Sequence, residues 1–443
     1  MNLIKSAYTI IHRTEDGILL YNTKNGAQIF VDKNENDILK EVKMLDSNQC
    51  NCITNEIFLK LFCVDQTINE VNEVMALYYK NMFDPTNLSF IIMPNNYCNF
   101  QCVYCYQDHD KKHISDEILE KYIEAIKDYY HFHGIKNFYI EWFGGEPLLS
   151  FKAIQKVTDE LTQFFDNQTG NVEYHFGATT NGSLLSMDRV RYLLNHRFDF
   201  FQITLDGAKN NHNRTRPYAN GEGTWDKIFE NLLLMQSFDV DFHVSIRVNY
   251  NEDTLEDINE LFEAISNKLD ERFTIFFHSI GKWGGENDSN LKIIENELIP
   301  YVQKMLMDQA IKYNIEPREN YKFLDPFMRV CYAGKPYNFT LGTDGKLRKC
   351  NEENKGTDDF NIVGTIENGI LELDIAKWAK FVLPGGAYRL PEKCGECKYL
   401  PICYGQNCPK NRASDQGVDC PHDFEIMSEM ILNKYRYFRN KKS

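Results

Sequence analysis

Between residues 88 and 279 the chain repeats one unit six times, a short apolar run followed by an amphipathic stretch of helical period. That alternation restricts this part of the chain to a parallel sheet whose strands are joined by crossover helices. The expected strands are residues 88–93, 138–143, 172–180, 200–205, 242–248 and 273–279. Helices fall between them, for example over 115–130, where Ser115 is placed to cap the first turn at Ile118. Six such units make an α/β fold of the partial (β/α)6, TIM-like barrel type, two strands short of full closure. Chemistry in such a sheet gathers at the C-terminal ends of the strands, so the residues just after each strand are the ones to inspect.

The segments on either side read differently. Residues 1–85 begin with alternating stretches at 6–13, 17–21 and 27–31, and Asn25-Gly26 between the last two is a type I′ hairpin signal. Helical patterns follow at 34–42, 55–62 and 68–82, which makes a small winged-helix-like α+β domain of three strands backed by helices. Residues 86–315 hold the barrel. Over 316–443 the regular alternation gives way to short pieces broken by glycine, proline and cysteine, a region with little core of its own that metal centres would stabilise.

The chain has 443 residues, 43% of them hydrophobic, which is material for two or three domains. It contains no run of about 18 uncharged apolar residues, and its first 13 residues mix polar and β-branched types as a strand does rather than as an export leader does. No membrane partner and a cytoplasmic location are therefore expected. A formal charge of −15 excludes an extended nucleic-acid surface and favours a peptide or small molecule. Thirteen cysteines without a leader point to metal ligation rather than disulfides. Three lie near residue 100 and seven after residue 330.

The first group, Cys98, Cys102 and Cys105, follows the first barrel strand directly. A closed zinc site wants four ligands, whereas three thiolates on a [4Fe-4S] cluster leave one iron open. Here the sequence resembles the radical S-adenosylmethionine (SAM) superfamily, whose CxxxCxxC loop occupies this position with an aromatic, here Tyr104, before the last cysteine. The resemblance continues in Gly144-Gly145-Glu146-Pro147 at the end of the second strand. It implies that the glycine backbone and the Glu146 carboxylate hold the methionine amino group of SAM. Thr179-Thr180-Asn181-Gly182, Thr204-Leu205-Asp206-Gly207 and Arg216 resemble positions that touch the ribose or the SAM carboxylate. Read as plain structure, Asp206-Gly207 is a turn and Arg216 a surface ion pair. The implied chemistry is one-electron cleavage of SAM to methionine and a 5′-deoxyadenosyl radical that takes hydrogen from a substrate, with the protein supplying orientation and exclusion of water. The catalytic acid or base is not identified.

The later cysteines resemble the SPASM extension of radical SAM maturases, which holds two auxiliary [4Fe-4S] clusters and so brings the expected total to three. By that resemblance Cys394, Cys397, Cys403 and Cys420 ligate the outer cluster, and Cys331, Cys350 and Cys408 the inner one. Cys403 and Cys408 are separated by four residues where the family usually has three. The inner set is one ligand short, since the position of a fourth cysteine in sulfatase-maturing relatives is Tyr337 here. The competing reading is a pair of zinc sites that draws on His422. Cys63 ends an apolar run and reads as a buried small hydrophobe.

Three outcomes for a substrate follow. The N-terminal domain resembles the recognition element that binds the leader of a ribosomally made precursor peptide by strand addition, with residues 27–32 and the third helix forming the groove. That implies a peptide maturase that makes a thioether, carbon–carbon or ether crosslink, served by an external reductant of flavodoxin or ferredoxin type. A sulfatase maturase, which makes formylglycine, is the second reading. Such enzymes carry an aspartate after the cysteine equivalent to Cys350, and Asn351 stands there, unable to act as a base. A peptide epimerase is the third. A non-catalytic electron carrier leaves residues 144–147 unexplained.

Overall fold

The computed structural model describes residues 2–107, 109–283, 285, 287–352, 359–367, 370–384, 390–405, 408–414, 420 and 426–442; His422 lies outside them. The chain divides into two compact units, residues 1–83 with 320–335 and 382–443, and residues 84–319 with 336–381.

In the first unit β1 (Leu3–Lys5) pairs with β5 (Cys63–Asp65), and β2 (Thr9–Arg13), β3 (Gly17–Asn22) and β4 (Gln28–Asp32) form an antiparallel meander with β3 in the middle. The helices Asn36–Asp46, Glu56–Phe62 and Glu70–Met82 follow, the last two capped by Asn55 and Asn69 side chains that accept first-turn N–H groups. The β3–β4 hairpin is present but its turn is not the expected two-residue type. Asn22 N–H donates to Ala27 C=O and Gly26 N–H to Asn22 C=O, so residues 23–26 form the loop and only Gly26, at φ 72°, is left-handed. Cys50 and Cys63 are buried among Leu20, Val42, Phe58 and Phe62, as small hydrophobes.

A second core of this unit was not legible from local patterning. Val74 and Tyr78 on the helix Glu70–Met82, with Tyr8, pack against Val330, Cys394, Leu400 and Tyr404. The N-terminal segment and most of the cysteine-rich segment thus share one interior. Helical periodicity shows that a face is apolar but not which distant segment covers it.

The second unit contains the partial barrel. Strands β6 (Asn87–Ile92), β7 (Asn137–Trp142), β8 (Glu173–Thr180), β9 (Phe198–Thr204), β10 (His243–Tyr250) and β11 (Phe273–Ser279) lie parallel in that order, each within a few residues of its expected position. Ser115 caps the helix Asp116–His133 by accepting from Ile118 N–H, and Gly134, at φ 68°, ends it. Along β7, Phe138, Ile140 and Trp142 are buried, Phe138 against Phe165 of the helix Phe151–Asp166, while Tyr139 and Glu141 face the other way and remain partly accessible. The same alternation runs through β8, where His175 and Thr179 stay accessible, and β9, where Gln202 does.

Beyond residue 335 the structure departs from the expectation of irregular chain. β12 (Asn338–Leu341) adds in parallel to the free side of β6, and β13 (Lys346–Arg348), β14 (Ile362–Glu367) and β15 (Ile370–Leu373) continue the sheet antiparallel to ten strands. Strands of three to six residues carry too few periods to stand out from a loop. Among the described residues no helix is long and apolar enough to cross a membrane.

Candidate active site

The three N-terminal thiols sit where β6 delivers them. After Ile92 the chain turns through Asn95–Tyr97 and lays residues 99–103 alongside residues 215–219 as a short antiparallel ribbon: Gln101 N–H donates to Pro217 C=O, Val103 N–H to Thr215 C=O, both 2.9 Å, and Ala219 N–H to Asn99 C=O, 3.0 Å. This pairing carries Arg216, beyond the fourth strand in sequence, to the thiol loop. The two glycines after β7 make room for the start of that loop. A Cβ on Gly144, at φ 125°, would lie 2.5 Å from Asn95 O, and one on Gly145 would lie 2.2 Å from Tyr97 O. The close approach needed here is backbone to backbone. Gly145→Ala is therefore expected to displace the loop and empty the first cluster, read as lost iron and visible absorbance in a chain that still folds by circular dichroism.

The Glu146 carboxylate is fully buried and accepts from Leu148 N–H at 3.0 Å, Thr180 Oγ1 at 2.7 Å and Asn181 N–H at 2.7 Å. It ties the end of β7 to the end of β8. Asn181 in turn donates to Asn99 Oδ1 at 2.8 Å and to Cys98 Sγ at 3.8 Å. Thr204 closes β9, buried, in register with Arg247 of β10.

Tyr104, Asp206 and Arg216 converge. The Tyr104 hydroxyl donates to Asp206 and accepts from Arg216 Nη1 at 2.8 Å and from Asn249 Nδ2 at 3.0 Å; Asn249 N–H also donates to Asp206 at 2.9 Å. Arg216 is buried, 5.8 Å from the Phe100 ring centre, and its Nε has no partner among the described residues. It is no surface ion pair. Behind it, Asp206 N–H donates to His212 Nδ1, so the imidazole proton is on Nε2, which meets Thr224 Oγ1 at 2.9 Å; the threonine hydroxyl donates to Arg216 C=O at 2.7 Å. Burial, then the Arg216 charge, holds His212 far below its usual range, so it stays neutral and acts as a brace. Asn249 and Thr224 escaped the sequence reading, although Asn249, near the end of β10, lies where a strand-end search would find it.

A buried guanidinium with a spare donor suits an anionic group, and three thiols on one loop suit a cluster with an open iron. Burial pushes Cys98 up to about 12 and Cys102 to about 11, with Glu146 adding to the first and Arg216 opposing the second. Cationic iron would reverse that cost by holding them as thiolates. Among the described residues no three potential ligands converge as on a single ion. A cluster asks for something else, one thiolate on each of several irons. Arg216→Ala should weaken SAM binding by roughly 10- to 100-fold, the worth of a charged hydrogen bond, measured by equilibrium dialysis on the cluster-loaded chain.

The late cysteines fall in both units. Cys394, Cys397, Cys403 and Cys420 lie in the first; there burial, then Cys403, Cys397 and Cys420, raises the Cys394 thiol to about 11, which brings these four into one electrostatic neighbourhood. Cys331 and Cys408 also belong to that unit. Cys350 belongs to the second, where Asn361 holds its backbone on both sides, accepting from its N–H at 2.9 Å and donating to its C=O at 2.8 Å.

Residues 92–265 match the model of the Radical SAM superfamily. Over 373 residues the chain is 22% identical to a cysteine-type anaerobic sulfatase-maturating enzyme of Clostridium novyi (strain NT), spanning 79% of this chain and 97% of that protein. Among solved structures, anSMEcpe with bound AdoMet and the Kp18Cys peptide aligns with a TM-score of 0.62 at 19% identity over 80% of this chain and 98% of its own. Streptococcus suis SuiB bound to its precursor peptide SuiA aligns with a TM-score of 0.51 at 14% identity over 92% and 96%. These likenesses fit an α/β partial barrel with a small N-terminal β domain and a cysteine-rich C-terminal region. With the thiol loop of Cys98, Cys102 and Cys105 inside the matched span, the chain is a radical SAM enzyme that uses a [4Fe-4S] cluster and SAM, related to the anaerobic sulfatase-maturating enzymes.

Proposed function

We propose that this enzyme installs a crosslink in a ribosomally synthesised precursor peptide. The observation that carries the reading is the N-terminal meander, a three-stranded sheet whose β4 edge pairs with no other strand among the described residues. An open edge offers main-chain hydrogen bonds to an added peptide strand. The likeness to SuiB, which was solved with its precursor peptide and which aligns with more of this chain than anSMEcpe does, supports it. The second part of the expected groove, the helix Glu70–Met82, has Val74 and Tyr78 already packed against Leu400 and Tyr404, so the proposed leader site rests on the β4 edge alone.

In this reading Cys98, Cys102 and Cys105 hold the SAM cluster, the backbone of Gly144 and Gly145 takes the SAM amino group, and Arg216 takes its carboxylate. The seven late cysteines hold auxiliary clusters that can accept an electron, and an external one-electron donor of flavodoxin or ferredoxin type reduces the SAM cluster. When bound, SAM and its cluster supply the radical that takes hydrogen from the peptide. Tyr104, Asp206 and Asn249 then fix Arg216, and the buried Glu146 fixes the strand ends around the reacting atoms. Formylglycine formation is the second reading, favoured by the likeness to sulfatase-maturating enzymes over 79% of this chain and opposed by Asn351.

Incubating the reduced enzyme with SAM and the short peptide encoded beside its gene separates the readings. Loss of two hydrogens in mass with a new link between residues is expected. Unchanged mass with inverted chirality would indicate an epimerase, and formylglycine on a sulfatase peptide a maturase. Gln28→Pro on the β4 edge, a position where an edge strand tolerates proline, should weaken precursor binding while leaving peptide-independent SAM cleavage intact, as measured by fluorescence anisotropy and 5′-deoxyadenosine release.

A further inference from the structure

The sheet of the partial barrel carries a carboxyl that none of the roles above uses. Glu141 lies one residue before the C-terminal end of β7, on the face that the covering helices leave accessible. Its two oxygens are held by hydroxyls, Tyr139 Oη at 2.5 Å and Thr179 Oγ1 at 2.7 Å. Gly177 of β8, in register with it, makes the space: a Cβ there would stand 2.0 Å from the Tyr139 hydroxyl and 2.7 Å from Glu141 Oε2. No lysine or arginine pairs with this carboxyl among the described residues, in contrast to Asp344, which Arg348 clasps at 2.7 and 2.8 Å. The next residue on β8, Thr180, points to the other face and donates to Glu146, so the carboxyl lies at the same C-terminal end of the sheet as the strand ends that carry the thiol loop. A carboxyl that is oriented by two hydroxyls, partly accessible on the face the helices leave uncovered and without a counter-charge among the described residues is built to exchange a proton.

We propose that Glu141 accepts the proton that the peptide gives up as its new bond forms. The inference rests on the peptide-crosslinking reading. Crosslinking replaces two bonds to hydrogen by one new bond. One hydrogen leaves as an atom and ends in 5′-deoxyadenosine. The second leaves as a proton, to the Glu141 carboxylate, and an electron, to an oxidised auxiliary [4Fe-4S] cluster, which is thereby reduced by one electron. The glutamate returns its proton to solvent.

Burial raises the Glu141 carboxyl to about 7; the bonds from Tyr139 and Thr179 oppose the rise and the Asp199 charge adds to it. The titratable groups around it are Tyr139 on its own strand, His175 on β8 with Glu173 and Asp199 against its nitrogens at 2.7 and 2.6 Å, and Glu319, which acts on Tyr139. The basic form therefore grows as pH rises through neutrality.

The test uses the full chain with its clusters and the precursor peptide encoded beside the gene, fully deuterated. For Glu141→Gln, deuterium should still reach 5′-deoxyadenosine while crosslinked peptide falls by at least about 100-fold, the usual worth of a general base. In the wild-type chain crosslinking should rise with pH through about 7. Thr179→Val, which removes a bond to the ionised form, should move that rise to higher pH. Independently of turnover, infrared titration of the cluster-free chain should show a carboxyl band that vanishes through neutrality and is missing from Glu141→Gln. Wild-type crosslinking with an unchanged pH profile in Glu141→Gln, or no such band in the wild-type chain, overturns the inference alone. A wild-type chain that transfers no deuterium from the peptide overturns the peptide reading, and the inference with it.

Discussion

The triple variant Cys98→Ala/Cys102→Ala/Cys105→Ala is expected to reduce SAM cleavage to background while iron falls from about twelve to about eight atoms per chain, as one of three four-iron clusters is lost. The separation is expected because these thiols lie on one loop between β6 and the ribbon at residues 215–219, whereas the late cysteines lie elsewhere in the chain. Cleavage requires the open iron of that cluster, so the loss should be complete rather than graded. A wild-type value near four atoms per chain would instead remove the auxiliary clusters from the proposal. Iron and sulfide analysis on anaerobically reconstituted protein, alongside 5′-deoxyadenosine release, measures both.

Deleting residues 1–83 is expected to do far more than weaken peptide binding. Read from sequence as a separate domain, this segment supplies Tyr8, Val74 and Tyr78 to the core that contains Val330, Leu400, Tyr404 and the candidate ligand Cys394. Each large apolar side chain so buried contributes roughly 1.5–3 kcal/mol, and three of them approach the whole stability of a typical domain, about 5–15 kcal/mol. Tyr78 also donates to Val382 C=O and Thr23 to Lys398 C=O, bonds that truncation would leave unsatisfied. The truncated chain should therefore lose iron from the late cysteines and expose apolar surface. Retention of full iron content and of the wild-type melting temperature would show that the shared core contributes little. Leader recognition is better tested by point changes at the β4 edge.

The parallel barrel was legible because six strands of six to eight residues alternate with long amphipathic helices, a repeat that local patterning records directly. The cysteine loop was legible because its three residues share one loop and one purpose. Gly144 and Gly145 were legible as glycines, but what they accommodate, the carbonyls of Asn95 and Tyr97, was not. Nor was the tie that the Glu146 carboxylate makes between β7 and β8. Strands β12–β15 were missed for want of length, and the four-residue hairpin loop at 23–26 because Asn-Gly alone does not fix turn length.

By itself the sequence determined the chemistry class and the scaffold, since thiol spacing on a strand end and the period of apolar residues are properties of neighbours in the chain. Only the tertiary structure decided which distant residues meet. It brought Arg216, Asn249 and His212 to Tyr104 and Asp206, joined the first 83 residues to the cysteine-rich segment in one core, and set Glu141 between two hydroxyls over a glycine. Those pairings are fixed by strand register and by which apolar face covers which, and neither is encoded in any local stretch of the chain.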